Sequence, residues 1–209
     1  MTPMSTDNRQ SGLLLAEALL RQELAEHRMV FEATALMLGR PFVETLDILD
    51  RGVRNGGKLL LFGNGGSAAD AQHIAAELIV RYKADRAAIS AIALTTDTST
   101  LTACGNDLGF DAVFERQIEG LGRKGDVAVA ISTSGNSANV IKGLDRARSM
   151  GLKTVGLTGG TGGKMRSVCD ALIVVPSTVT ARIQELHGMI GHVLCKALEQ
   201  RLGLVSAEP

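Results

Sequence analysis

The sequence predicts a doubly wound α/β domain on a five-stranded parallel sheet, preceded by an N-terminal helical arm. Three observations carry that expectation. Five short runs are apolar along their whole length and bounded by Gly, Ser, Thr or Pro, as strands buried on both faces are. Helical stretches alternate with them, the pattern of a parallel sheet covered on both sides. Ahead of the first run, residues 13–53 read as helix and not as strand.

Taken in order, residues 13–38 are rich in Leu, Ala, Glu and Arg and predict a long helix. Pro41 fits the first turn of a second helix to about residue 53, which Asn55-Gly56-Gly57 stops. Strands are expected at 58–62, 89–94, 126–132, 153–158 and 171–176. The helices between and after them fall at 68–83, within 99–122, at 139–150, briefly at 164–169, and at 180–202. The polar start, MTPMSTDNRQSG, is expected to be flexible over residues 1–12. With no low-complexity linker beyond it, a single domain spans 13–205. Two leading helices need a partner surface, which points to a homo-oligomer.

Composition excludes several classes of function. Lys plus Arg and Asp plus Glu are each 22, so the formal net charge is zero. That leaves no electrostatic case for nucleic acid or an anionic membrane as partner. Aromatics are 3%, with no Trp and one Tyr, too few for a single-strand stacking platform. No apolar run approaches the roughly 20 residues that span a bilayer. The start lacks the basic end and apolar stretch of a signal peptide. Cys104, Cys169 and Cys195 are odd in number and lack CxxC spacing, which fits a reducing compartment. A cytoplasmic protein is expected.

Two strand ends are unusual, and in open α/β sheets ligands bind beyond strand carboxyl ends. The first strand runs into Gly63-Asn64-Gly65-Gly66-Ser67 and then a helix, whose N-terminal amides and dipole favour an oxyanion. The third runs into Ser132-Thr133-Ser134-Gly135-Asn136-Ser137, again before a helix. Hydroxyls and free amides at a helix start make a phosphate cradle without a fixed positive charge. Gly63, Gly65 and Ala68 also fit Gly-x-Gly-x-x-Ala, but a dinucleotide site needs an acid about 20 residues on, at the end of the second strand. Asp85 precedes that strand and Asp97 lies too far on. No Gly-Lys-Ser/Thr follows, so a P-loop is excluded. Sugar phosphate is preferred over nucleotide.

Polar side chains concentrate on two helices. His73 and Glu77, at i and i+4, share one face of the helix after the first loop. Gln184 and His192 step along one face of the last helix with Gly188 between them. An exposed His–Glu helix pair is worth only about 0.3 kcal/mol, but this one sits directly downstream of a phosphate loop. The set offers either ordinary zinc ligands, Gln being the uncommon one, or groups for acid/base chemistry. His187 reads as a structural histidine and His27 as a solvated one.

These residues closely resemble a known family. The stretch Gly63-Asn64-Gly65-Gly66-Ser67-Ala68-Ala69-Asp70-Ala71-Gln72-His73, then Ser132-Thr133-Ser134-Gly135-Asn136-Ser137, then Arg182-Ile183-Gln184-Glu185 with His192, resembles the phosphoheptose isomerase branch of the sugar isomerase (SIS) domain superfamily. The match runs from about residue 13 to 202 and takes in Gly105-Asn106-Asp107. The resemblance implies a flavodoxin-like fold, a homotetramer with active sites at subunit interfaces, and one zinc per subunit. It implies conversion of sedoheptulose 7-phosphate to D-glycero-D-manno-heptose 7-phosphate, the first step towards activated heptose for lipopolysaccharide or capsule. The substrate-binding residues it implies are Asn64, Gly65, Gly66, Ser67, Glu77, Asn106, Asp107, Ser132, Thr133, Ser134, Ser137 and Gln184. The zinc set is His73, Glu77, Gln184 and His192, with Glu77 and His192 catalytic. Ala181 stands where some members carry an acid. A non-catalytic SIS protein, associated with a replication initiator or sensing sugar phosphates, would keep the fold and loops but has no need of the acid/base set.

Overall fold

A computed structural model describes residues 6–206. The chain opens with α1 (Thr6–Arg54), followed by β1 (Leu59–Gly63), α2 (Gly66–Ile79), β2 (Ala91–Ala93) and α3 (Thr98–Asp107). A 3₁₀ turn at Phe110–Ala112 leads into α4 (Val113–Leu121) and β3 (Val127–Ser132). The rest is α5 (Ala138–Ser149), β4 (Lys153–Gly159), α6 (Met165–Val168), β5 (Ala171–Val175) and α7 (Thr180–Arg201). The five strands are all parallel in the order β2-β1-β3-β4-β5, the flavodoxin-like arrangement.

Alternation along each strand divides the core into two layers. Leu59, Leu61, Val129, Ile131 and Leu157 face a cluster completed by α1, α2 and α7, including Leu49, Ile74 and Ile190. Leu60, Phe62, Ala128 and Ala130 face the other way, onto Phe114 and Ile118 of α4 and Leu144 of α5. Both faces are therefore dry, and β1 and β3 are buried at every residue. Such strands must be apolar throughout, which is why they read so clearly.

The helical arm differs from the expectation. One helix covers both predicted ones, with Pro41 inside it. Proline removes one amide donor, here the one that would reach Met37, and strains the preceding turn. The rest of the ladder and the packing of the C-terminal portion, from Leu46 onward, carry the helix through. At 49 residues it is about 73 Å long. Of the N-terminal dozen, residues 1–5 lie outside those described, and from Thr6 the backbone is helical. Leu13, Leu14, Leu15, Leu19, Leu20 and Leu24 are each more than half exposed.

The segment predicted as one helix within 99–122 is two, because Gly109 adopts φ +86° between them. β2 covers only three residues, Ala91–Ala93, and sits at the sheet edge, pairing only with β1. Among the described residues no helix is long and apolar enough to cross a membrane.

Candidate active site

The order of strands places the site. Connections leave β1 and β3 towards opposite faces, α2 to one side and α5 to the other, so a crevice opens where the two neighbouring strands end. Both unusual loops line it. Two reciprocal amide bonds latch them: Asn64 Nδ2 donates to Asn139 Oδ1 and Asn139 Nδ2 to Asn64 Oδ1, each at 2.9 Å. In the first loop Gly65 has φ +56°, a conformation that L side chains rarely adopt. Gly66 is glycine for a different reason. A Cβ there would collide with the side-chain amide of Gln184, so α7 comes to within contact of the loop.

In the second loop the hydroxyls of Ser132 and Ser137 lie 3.1 Å apart. Ser134 Oγ accepts from the Asn136 amide at 3.2 Å. Ser132 is buried, Thr133 and Ser137 half-buried and Ser134 exposed, so the group opens towards solvent at one end. A groove of about 320 Å³ continues from Thr133 and Ser134 past Thr161, Ser177, Thr178 and Thr180. Its lining is rich in hydroxyls, which suits a polyol.

The polar set of α2 and α7 converges. His73 Nε2 and His192 Nε2 are 2.7 Å apart, with the rings edge to face. Glu77 Oε1 lies 3.5 Å from His73 Nε2. One ligand-capable atom from each of His73, Glu77 and His192 falls within 4.8 Å of the others. Glu77 Oε2 is buried with no hydrogen-bond partner, an arrangement costly for a carboxylate unless a cation or a proton meets it. Two imidazole nitrogens and a carboxylate oxygen form an ordinary zinc donor set, so these residues fit that metal. Gln184 is held one step further along the crevice, against Gly66.

Asn106 and Asp107 stand apart from this cluster. They end α3, both exposed, and Asn106 Nδ2 donates to Asp107 Oδ1 at 2.7 Å. Ala181 is exposed at the start of α7. His187 is fully buried, and its Nε2 donates to the Thr158 carbonyl at 3.1 Å. Burial lowers it to about 4, against a smaller opposing effect of that hydrogen bond, so it is a neutral structural histidine. His27 is half-exposed yet not free, since its Nδ1 meets Glu185 Oε2 at 2.6 Å and ties α1 to α7.

Sequence reasoning missed three residues. Asn139 is the latch partner of Asn64. Tyr82 packs its ring 5.4 Å from that of His192. Asp70 has a buried oxygen without a partner, and burial raises its carboxyl above the usual range while His73 opposes this. Only Asp70 left a legible signal: with His73 and Glu77 it falls at i, i+3 and i+7 on one face.

Fold and loops together define a SIS domain, and the family described by that name matches residues 24–159. A phosphoheptose isomerase of Paramagnetospirillum magneticum is 54% identical over 180 residues, 86% of this chain and 94% of that one. The solved phosphoheptose isomerase of Neisseria gonorrhoeae is 43% identical, covers 88% of this chain and 99% of its own, and superposes with a TM-score of 0.84. That of Francisella tularensis, 34% identical over 88% and 98% of the two chains, gives 0.85. The chain belongs to the phosphoheptose isomerase family.

Proposed function

We propose that this protein is an aldose–ketose isomerase that converts sedoheptulose 7-phosphate to D-glycero-D-manno-heptose 7-phosphate. That product would enter the synthesis of nucleotide-activated heptose for lipopolysaccharide or capsule. The observation that carries the reading is the convergence of His73, Glu77 and His192 beside two latched phosphate-type loops, in a chain of this family. A non-catalytic SIS protein would need the loops but not the cluster.

Ser132, Thr133, Ser134 and Ser137 hold the phosphate, while Asn64, Gly65, Gly66 and Ser67 with Gln184 hold the near end of the sugar. Asn106 and Asp107 complete the set from α3. These contacts supply the positioning contribution to catalysis. The reaction moves one proton between C1 and C2. Glu77 takes the proton from C1 of the ketose, and His192 gives a proton to the C2 oxygen, leaving an enediol. Glu77 then returns a proton to C2 while His192 takes that of the C1 hydroxyl, and the aldehyde forms at C1. Zinc, one per subunit and held by His73, Glu77, Gln184 and His192, would polarise the carbonyl oxygen as a Lewis acid when bound. Glu77 has two oxygens for two demands: Oε1 faces His73, and Oε2 is buried without a partner.

The same reading makes the protein a cytoplasmic homotetramer with one domain over residues 13–205. Support for an oligomer comes from the exposed leucines of α1. Support for a reducing compartment comes from the free thiols of Cys104, Cys169 and Cys195. Purified protein should isomerise sedoheptulose 7-phosphate faster than shorter ketose phosphates. Turnover of a five- or six-carbon ketose phosphate at higher kcat/KM would overturn the substrate, and no turnover of any would overturn the activity.

A further inference from the structure

Between α2 and β2 the chain passes through Arg86, whose side chain is 1% exposed. Its Nε donates to Glu199 Oε1 on α7 at 2.8 Å. One terminal nitrogen donates to the carbonyl of Leu78 at 2.6 Å and to that of Ala87 at 3.0 Å. The other donates to the carbonyl of Glu77 at 2.7 Å. Glu199, 3% exposed on its side chain, also accepts from the Tyr82 amide at 3.2 Å. One guanidinium thus caps the last turn of α2, grips the peptide group that bears the Glu77 side chain, and pairs with a carboxylate on α7. That carboxylate lies seven residues, two turns, beyond His192 on the same face of its helix.

We infer that Arg86 and Glu199 are positioning residues that set α2 against α7 so that His73, Glu77 and His192 converge. The inference rests on the functional reading above. Cohesion alone does not call for this pair. Burying two charges costs more than their attraction reliably returns, and apolar residues of similar size commonly hold helices together as well or better. Ile74, Leu78 and Leu194 already do so between these two helices. What the guanidinium adds is direction, because its donors lie in one rigid plane and fix several acceptors at once. Catalytic and metal-binding groups need that, since errors of about 1 Å cost on the order of 100-fold in rate.

The test separates positioning from stability. The double variant Arg86→Met/Glu199→Leu removes both charges without leaving either unpaired. Its metal-free form should remain folded, with a melting temperature lowered only by the Glu77 carbonyl and Tyr82 amide that lose their partners. It should nevertheless bind zinc about 10–100-fold more weakly in a chelator competition, the usual effect of losing a group that orients ligands. Its kcat should fall by a similar factor with KM changed less than about threefold. Arg86→Lys keeps a charge opposite Glu199 but cannot grip the Glu77 and Leu78 carbonyls together. It should show the same weakened zinc binding, and it carries the decision if the double variant does not fold. Zinc affinity and kcat within twofold of wild type in the folded variants would overturn the inference. A wild-type protein that binds zinc but isomerises nothing would sink the functional reading, and the zinc comparison would still decide this one.

Discussion

At the scale of single residues, Glu77 and His192 carry the sharpest expectations. Glu77→Gln keeps size and hydrogen bonding but removes the base, and His192→Asn cannot exchange a proton near neutrality. Each should lower kcat by a factor on the order of 10²–10⁴. The double variant should lose much less than the product of the two, because both act on one transfer. Metal content must be measured alongside, since restoration of activity by added zinc would make these residues ligands first. His187 gives a pH prediction of defined sign. Buried, it stays neutral down to about 4, whereas in the unfolded chain it takes up a proton below about 6.5. Its contribution to stability, on the order of 3 kcal/mol, is complete above pH 6.5 and is lost as pH falls towards 4. His187→Gln should flatten the fall of melting temperature across that window; an unchanged slope would show that His187 is already charged in the fold. Residue identity and helical spacing pointed to His73, Glu77, Gln184 and His192, of which the fold brings His73, Glu77 and His192 together. Tyr82, Asn139 and Arg86 were not legible, because their roles come from contacts with His192, Asn64 and Glu199, each 75 or more residues away in the chain.

At the scale of elements, the paired amides of Asn64 and Asn139 tie the two loops together. Ser132→Ala or Ser134→Ala should raise KM more than it lowers kcat, since phosphate is remote from the reacting carbons and binds ground and transition states alike. A fall in kcat at unchanged KM would remove phosphate from that loop. Gly66→Ala tests the contact between α2 and α7: its methyl must displace the Gln184 amide. We expect kcat/KM to drop about 10–100-fold without loss of folded protein, and wild-type kinetics would mean that Gln184 is free to move aside. Strands and most helices were legible within a few residues, because strands dry on both faces leave no polar position to confuse the pattern. The two misreadings share a cause. Local signals at Pro41 and around Gly109 rank propensities, and packing decided whether each became a bend, a break or neither.

At the scale of the whole molecule, α1 leaves more apolar surface than one sheet can cover. Leu13 to Leu15 and Leu36 are 65–89% exposed, apolar surface of the kind that marks protein–protein contacts. Light scattering at micromolar protein should give four times the 22.0 kDa chain mass. Leu20→Glu with Leu24→Glu should reduce that mass and activity together, because the sites are expected at subunit interfaces. A mass near that of one chain for the wild type would refute the assembly. The sequence by itself determined the layer architecture, the two Gly- and Ser-rich strand-end loops and the polar side chains of α2 and α7, since those depend on periodicity, glycine positions and residue type. Only the tertiary structure decided that Asn64 and Asn139 join the loops, that Gly66 lies against the Gln184 amide, and that Arg86 and Glu199 join the α2 end to α7. Those are distances between residues far apart in the chain, set by how two packed layers close on a sheet, and no local pattern encodes a distance of that kind.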